Sequence, residues 1–346
     1  MDAEEIRDLL QDVTDPDLGG DIVSLNLVND IDVDGETVHV DLALGAPFAS
    51  HESEIADDVR DVLEAAGLEP ELSASLEREV SRSEDVLPDV TNIIAVASGK
   101  GGVGKSTIAV NLAAGLAEKG AQVGLFDADI YGPNVPHMVD AQEPPEATPD
   151  ETLVPPEKYG MKLMSMAFLV GEEDPVIWRG PMVDKMLNQF WDIVEWGELD
   201  YMIVDLPPGT GDTQLSLLQS VPVTGAVIVT TPQEVALADA RKGLEMFGTH
   251  ETPVIGIAEN MGTFVCPDCD SQHAIFGEGG GKRFAEEHEM PFLGSIPLDT
   301  KVREGGDAGQ PIVLEDDSTT GNAFRTVTET VANNVGIINR RRQSEE

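Results

Sequence analysis

Gly99-Lys-Gly-Gly-Val-Gly-Lys-Ser106 follows the apolar run Asn92-Ile-Ile-Ala-Val-Ala-Ser98 and opens the helical stretch "STIAVNLAAGLAEKG". These eight residues satisfy G-x-x-x-x-G-K-[ST], and a strand before with a helix after is the setting that gives the motif physical meaning. The glycines let successive backbone N–H groups turn toward phosphate oxygens, and the helix start adds a favourable dipole. Lys105 is expected to reach the β- and γ-phosphates and Ser106 to ligate Mg²⁺. The expected cradle comprises Gly99, Lys100, Gly101, Gly102, Val103, Gly104, Lys105, Ser106 and Thr107.

Outward from this loop, buried-type strands alternate with helices: "NIIAVAS", "QVGLFDAD", "YMIVDL", "GAVIVTT", "PVIGIAEN" and "FLGSIP". Continuous apolar strands are buried on both faces, which implies a mostly parallel sheet flanked by helices. The expected fold class is therefore α/β, a P-loop NTPase spanning residues 92–346. Between the second and third strands, a proline-rich segment around "QEPPEATPDETLVPPE" is expected to be excursion and loop.

Other nucleotide-site candidates fall at strand ends. Asp127 and Asp129 lie in "GLFDADIYGP", over the phosphates, and Asp205 ends "YMIVDL" in the Walker B position, where it would hold Mg²⁺ through water. In "PPGTGD", the Gly209 N–H is placed to meet a γ-phosphate, and glycine suits a switch. Asn260 in "IAENMG" is placed to hydrogen-bond a purine edge. No N-K-x-D motif supplies an aspartate to read guanine, which favours ATP over GTP.

Residues 1–85 read as a small α+β unit and 86–91 as a linker. "AEEIRDLLQDV" has helical spacing, two alternating strands flank a Val33-Asp-Gly-Glu36 turn, "SEIADDVRDVLEAAG" returns to helix, and "EPELSASLE" is strand-like. Across the whole chain, 65 acidic residues face 21 basic ones, a formal charge of −44, and Lys100 is the first lysine. A diffuse acidic excess suits a high-salt, halophile-like proteome, where screening shortens to about 3 Å near 1 M, with a dedicated basic partner as the alternative. It is poorly suited to nucleic-acid phosphate. The acidic start and the lack of a long apolar run point to a cytoplasmic protein with no membrane span.

The only two cysteines, Cys266 and Cys269, stand in "FVCPDCD". Two thiols three positions apart can grip a soft metal, yet closed zinc and iron–sulfur sites take four ligands. A redox disulfide is an alternative, although such pairs sit at a helix N-terminus. His273, four residues on, is a candidate third ligand or a neighbour to the site.

Lys100, directly after the first glycine in "SGKGGVGKST", makes the loop resemble the deviant Walker A motif of nitrogenase iron protein, chromosome-partition ATPases and arsenite-pump ATPases. With "TPQEVALADARKGLEMF", "VIGIAENMGTFVCPDC", "IFGEGGGKRFAEE", "LGSIPLDTKVREGGDAGQPIV", "IWRGPM" and "DLPPGTGDTQL", residues 92–335 closely resemble the Mrp family of iron–sulfur cluster carrier ATPases. Residues 1–85, with "TDPDLGGDIVSLNLV", resemble the metal–sulfur cluster assembly domain often fused in front. That domain sometimes carries a cysteine where this chain reads "LGAPFASHESE".

The resemblance implies a homodimer in which Lys100 crosses to the partner's nucleotide. Lys100, Lys105 and Asp129 become the implied catalytic groups, Asp129 positioning the attacking water and assisting Mg²⁺, with slow, regulatory ATP hydrolysis. A two-fold axis sets a residue that lies near it beside its own copy, so two Cys266–Cys269 pairs there would supply four thiolates to one shared, labile [4Fe–4S] cluster. Implied partners are an iron–sulfur assembly scaffold and apo-protein clients, with no nucleic acid and no membrane. A zinc-bridged dimer has the same geometry. A spatial-organisation ATPase shares the deviant loop, and the tail with Arg340–Arg342 would then serve membrane or DNA. An electron-donating reductase is a third alternative, though its ligand cysteines lie far apart in sequence.

Overall fold

The computed structural model describes residues 1–76, 86–130, 132–168, 186, 189–266, 269 and 271–345, excluding the side chains of 212 and 213. The motif "IWRGPM", residues 77–85 of the small domain and the two residues between the cysteines lie outside the described residues. The chain divides into two compact units, Met1–Val80 with Ala332–Glu346, and Ser81–Val331.

In the first unit, helix α1 (Ala3–Leu9) begins at a capping box. Asp2 Oδ1 accepts from the Glu5 N–H at 2.9 Å while Glu5 Oε2 accepts from the Asp2 N–H at 3.0 Å, satisfying two otherwise unpaired donors. Strands β1 (Val28–Asp34) and β2 (Thr37–Leu42) pair antiparallel, and β3 (Glu69–Ala74) adds in parallel on β2 after helix α2 (Ser50–Ala65). Ile55, Val59 and Leu63 recur every four residues on α2 and are buried with Val38, Val40 and Leu42 in one core.

The C-terminal end departs from the expected division, because residues from Ala332 onward belong to this first unit. Among the residues that tie this end to the first unit is Arg340, in the helix Thr319–Glu345. Its side chain is fully buried and donates to Asp15 Oδ2 at 2.6 Å, Asp17 Oδ2 at 2.6 Å and Glu52 Oε1 at 3.1 Å. One guanidinium thus compensates three carboxylates of the small unit. Burial raises the Glu52 pKa, and the Ala46 N–H and Arg340 partly offset that rise.

In the second unit, β4 (Val90–Ser98) is followed by helix α3 (Lys105–Glu118) and β5 (Val123–Asp127). A two-residue pair β6/β7 (Glu146–Ala147, Leu153–Val154) lies in the proline-rich excursion. Then come β8 (Glu157–Lys158), β9 (Met161–Ser165), β10 (Leu199–Asp205), β11 (Gly225–Thr230), β12 (Val254–Glu259) and β15 (Phe292–Ser295). The main sheet runs β15-β12-β11-β4-β10-β5-β9-β8, parallel throughout except for β8 at the edge. All six sequence-read strands are present, and the α/β P-loop architecture is as expected.

Strand β9 corrects the expectation of loop between the second and third strands. Lys158 pairs with Met161 across Tyr159 and Gly160, whose φ values of 52° and 75° are both positive. Two such residues make the tight hairpin connection whose twist matches its strands. That turn feeds Met161–Ser165 back along β5, where Ser165 lies level with Asp127.

Candidate functional site: a phosphate-binding loop and a two-cysteine hairpin

The parallel sheet ends in the site. Asp205 pairs in register with Val96 on one side and Asp127 on the other, so the strand ends below the loop carry two adjacent buried carboxylates. Ligands in such sheets bind beyond the carboxyl ends of the strands. Gly102 and Gly104 hold φ values of 82° and 85°, backbone that L side chains rarely adopt, and Gly104 is the cap from which α3 starts. Closeness adds a second requirement at Gly104, where a Cβ would lie 2.1 Å from Asn260 Nδ2.

Lys105 is buried, and its Nζ donates to Asp205 Oδ1 at 2.5 Å, with Asp129 Oδ2 3.9 Å away. Burial raises the Asp205 pKa, the Lys105 ammonium and the Ser106 hydroxyl pull it back, and Asp129 pushes it up again. Asp127 has no such cation. Desolvation, then the charge of Asp205, push its pKa up to about 7, against hydrogen bonds from Ser165 Oγ and the N–H groups of Val135 and Asp129.

Two carboxylate oxygens, Asp129 Oδ1 and Asp205 Oδ2, are buried without a hydrogen-bond partner. Unpaired buried anionic oxygens are costly. Standing beside the Ser106 hydroxyl, this oxygen set fits a hard divalent cation such as Mg²⁺.

A cavity of about 520 Å³ adjoins the loop, lined by Lys100, Gly101, Gly102, Lys105, Ser106 and Thr107 together with Met138, Met261, Leu298, Val302 and Arg303. Its size suits a small ligand, and its lining mixes polar and apolar side chains. Gly99 is held against a helix, since a Cβ there would fall 2.2 Å from the Asp239 carbonyl.

Two expected contacts have other partners. Asn260 lines the cavity, but its Nδ2 donates to Val103 O at 2.9 Å and its Oδ1 accepts from the Met261 N–H at 2.9 Å. The side chain braces the phosphate loop, leaving one amide hydrogen for a purine edge. Gly209, at φ 102°, donates its N–H to Ser98 O at 2.9 Å, so contact with a γ-phosphate requires that bond to open.

The cysteines lie beside a short hairpin, β13 (Phe264–Val265) with β14 (Gln272–His273). The Cys266 N–H donates to Ser271 O at 3.0 Å. Cys266 is half-buried and Cys269 exposed. Cys269 Sγ lies 2.9 Å from Ser271 Oγ, which lies 3.1 Å from His273 Nε2. His273 therefore stands next to the thiol through a serine, a link that spacing alone does not reveal. The hydrogen bond from Ser271 lowers the Cys269 pKa, favouring thiolate. Among the described residues, no group of three or more His, Cys, Asp or Glu side chains could hold a metal ion.

Comparison with known proteins settles the family. Residues 89–332 match the model of the NUBPL iron-transfer P-loop NTPases. The chain belongs to that family. Residues 3–71 match an iron–sulfur cluster assembly protein domain. A relative from Synechocystis, named an iron–sulfur cluster carrier protein, is 44% identical over 97% of this chain and 99% of its own length. A similarly named relative from Escherichia coli is 42% identical over 86% of this chain and 83% of its own. Among solved structures, the Archaeoglobus fulgidus nucleotide-binding protein in complex with ADP is 39% identical, covering 66% of this chain and 90% of that one at a TM-score of 0.59. This chain carries the Gly99–Ser106 loop and the Cys266–Cys269 pair in one α/β unit. No described helix is long and apolar enough to cross a membrane.

Proposed function

We propose that this protein is an ATP-hydrolysing carrier of a labile [4Fe–4S] cluster, held between two copies of the chain and passed to apo-proteins. The observation that carries the reading is the Cys266–Cys269 pair: one half-buried and one exposed thiol beside a hairpin, the only thiols in the chain. Two cysteines fill half of a four-thiolate cluster site, and a second copy related by a two-fold axis supplies the other half. Exposure of Cys269 suits a cargo that must leave. Family membership supports iron transfer, and the assembly-type domain at the N-terminus supports work beside a cluster scaffold.

In the nucleotide half of this reading, backbone N–H groups of the loop bind the phosphates and Lys105 swings from Asp205 toward the β- and γ-oxygens. Ser106 and Asp205 would hold Mg²⁺, which supplies charge neutralisation at the phosphates. Asp129 orients the attacking water, and Lys100 reaches the partner's nucleotide. Asn260 keeps the loop in shape and offers its remaining amide hydrogen to adenine. Gly209 exchanges its bond to Ser98 for one to the γ-phosphate. The protein works in the cytoplasm, without nucleic acid or membrane.

Anaerobic reconstitution with iron and sulfide tests the cargo. The expected result is bound iron and acid-labile sulfide that fall to background in Cys266→Ser and in Cys269→Ser. Iron content unaffected by either substitution overturns the reading, and tightly held zinc refusing exchange would favour a zinc-bridged dimer instead.

A further inference from the structure

The chain leaves the nucleotide cavity and reaches its first cysteine within a few residues. Asn260 and Met261 line the cavity, and Gly262-Thr-Phe-Val265 leads directly to Cys266. This short strap is pinned along one side. The Gly262 N–H donates to Ile296 O at 3.0 Å, the Leu298 N–H donates to Thr263 O at 3.1 Å, and Phe264 forms a parallel bridge with Leu298. Leu298 lines the same cavity. The strand that enters the cysteine hairpin and the segment bridged to it therefore both adjoin the nucleotide site.

Met261 sits at the bend with φ 56°. Residues other than Gly, Asn and Asp seldom adopt that backbone, and it persists only where neighbours enforce it. Both neighbours do. On one side the Asn260 amide holds Val103 O of the phosphate loop. On the other, Gly262 lies so close to Ser295 that a Cβ would fall 2.3 Å from its Oγ. A strained bend locked at both ends transmits displacement where a relaxed one would absorb it.

The geometry points to Met261 as a positioning residue that couples nucleotide occupancy to the cysteine hairpin. Nucleotide in the cavity bears on Asn260 and Met261, and the strap carries the shift to Cys266, changing how far that half-buried thiol is covered. The inference deepens the proposed function, resting on its nucleotide site but on neither iron nor dimer formation.

Because Cys266 and Cys269 are the only thiols, alkylation of the iron-free full-length chain reads the hairpin alone. In Cys269→Ser, a maleimide reports Cys266. Saturating Mg-ADP, with occupancy measured by equilibrium dialysis, is expected to change the Cys266 rate constant by about threefold or more. Adding Met261→Gly, which relaxes the bend, is expected to reduce that change to less than about 1.5-fold at full occupancy, while Met261→Asn, which tolerates the left-handed backbone, preserves it. Equal rates with and without Mg-ADP overturn the inference. So does a full response in Met261→Gly, which is what pairing of whole chains, or any route that bypasses the strap, would give. Failure here leaves cluster binding standing, and failed reconstitution leaves this coupling standing.

Discussion

Asp127 and Asp205 are register partners at the ends of neighbouring parallel strands, both fully buried, and only Asp205 has a lysine against it. Asp127 is therefore held protonated up to about pH 7. Its folded pKa lies above the ordinary aspartate value of 3.8, so the folded state binds more protons between those two limits. Its contribution to stability is complete below about pH 4 and is lost as pH rises through about 7. Asp127→Asn keeps the shape and removes the titration. Without nucleotide, the variant is expected to gain stability relative to wild type as pH rises from 4 to 8, on the order of 2 kcal/mol or more. Denaturant unfolding of both proteins across that range checks it; a constant difference contradicts it.

Lys105 and Asp205 form a buried ion pair, 5% and 0% exposed. Removing one member strands the other charge, which costs about 3–5 kcal/mol where no proton or water can compensate. Lys105→Met is expected to abolish nucleotide binding and to destabilise the nucleotide-free protein by roughly 3 kcal/mol. Lys105→Met with Asp205→Asn is expected to recover much of the stability and none of the binding. A double-mutant cycle from urea unfolding, with calorimetric titration of ATP, measures both.

Gly104→Ala faces both a left-handed backbone and contact with Asn260. Relieving the clash means withdrawing the amide that braces Val103. Nucleotide affinity is expected to fall about tenfold or more, equal to about 1.4 kcal/mol, with the global fold kept. Titration of Mg-ADP beside a circular dichroism spectrum gives the answer.

Arg340 predicts an unfolding event confined to one unit. Arg340→Met leaves Asp15, Asp17 and Glu52 without their cation, a loss of about 3–5 kcal/mol in the first unit. Every tryptophan and tyrosine of the chain lies in the second unit. The variant should therefore show an early transition by circular dichroism that tryptophan fluorescence does not follow. Coincident transitions at the wild-type position would contradict it.

What the sequence made legible is what local physics writes. The six apolar strands, the strand–loop–helix at Gly99–Ser106 and the aspartates at strand ends all follow from periodicity and motif spacing. Strand β9 escaped because Met161–Ser165 is only five residues long and lies beyond a proline-rich run, where nothing local separates strand from loop. Arg340 escaped for a different reason. In "NRRRQ" three arginines look alike, and only partners more than 280 residues away decide which one is buried. Asn260 shows the same limit, since its position at a strand end fits a base contact, whereas its hold on Val103 depends on how two distant loops meet.

The most direct test of shared cluster carriage is native mass spectrometry of the anaerobically reconstituted protein. The expected result is a dimer carrying one cluster of about four iron and four sulfide, with apo-monomer when Cys266→Ser or Cys269→Ser replaces the wild type. A cluster of that size retained on single chains, or on dimers lacking either cysteine, would contradict it.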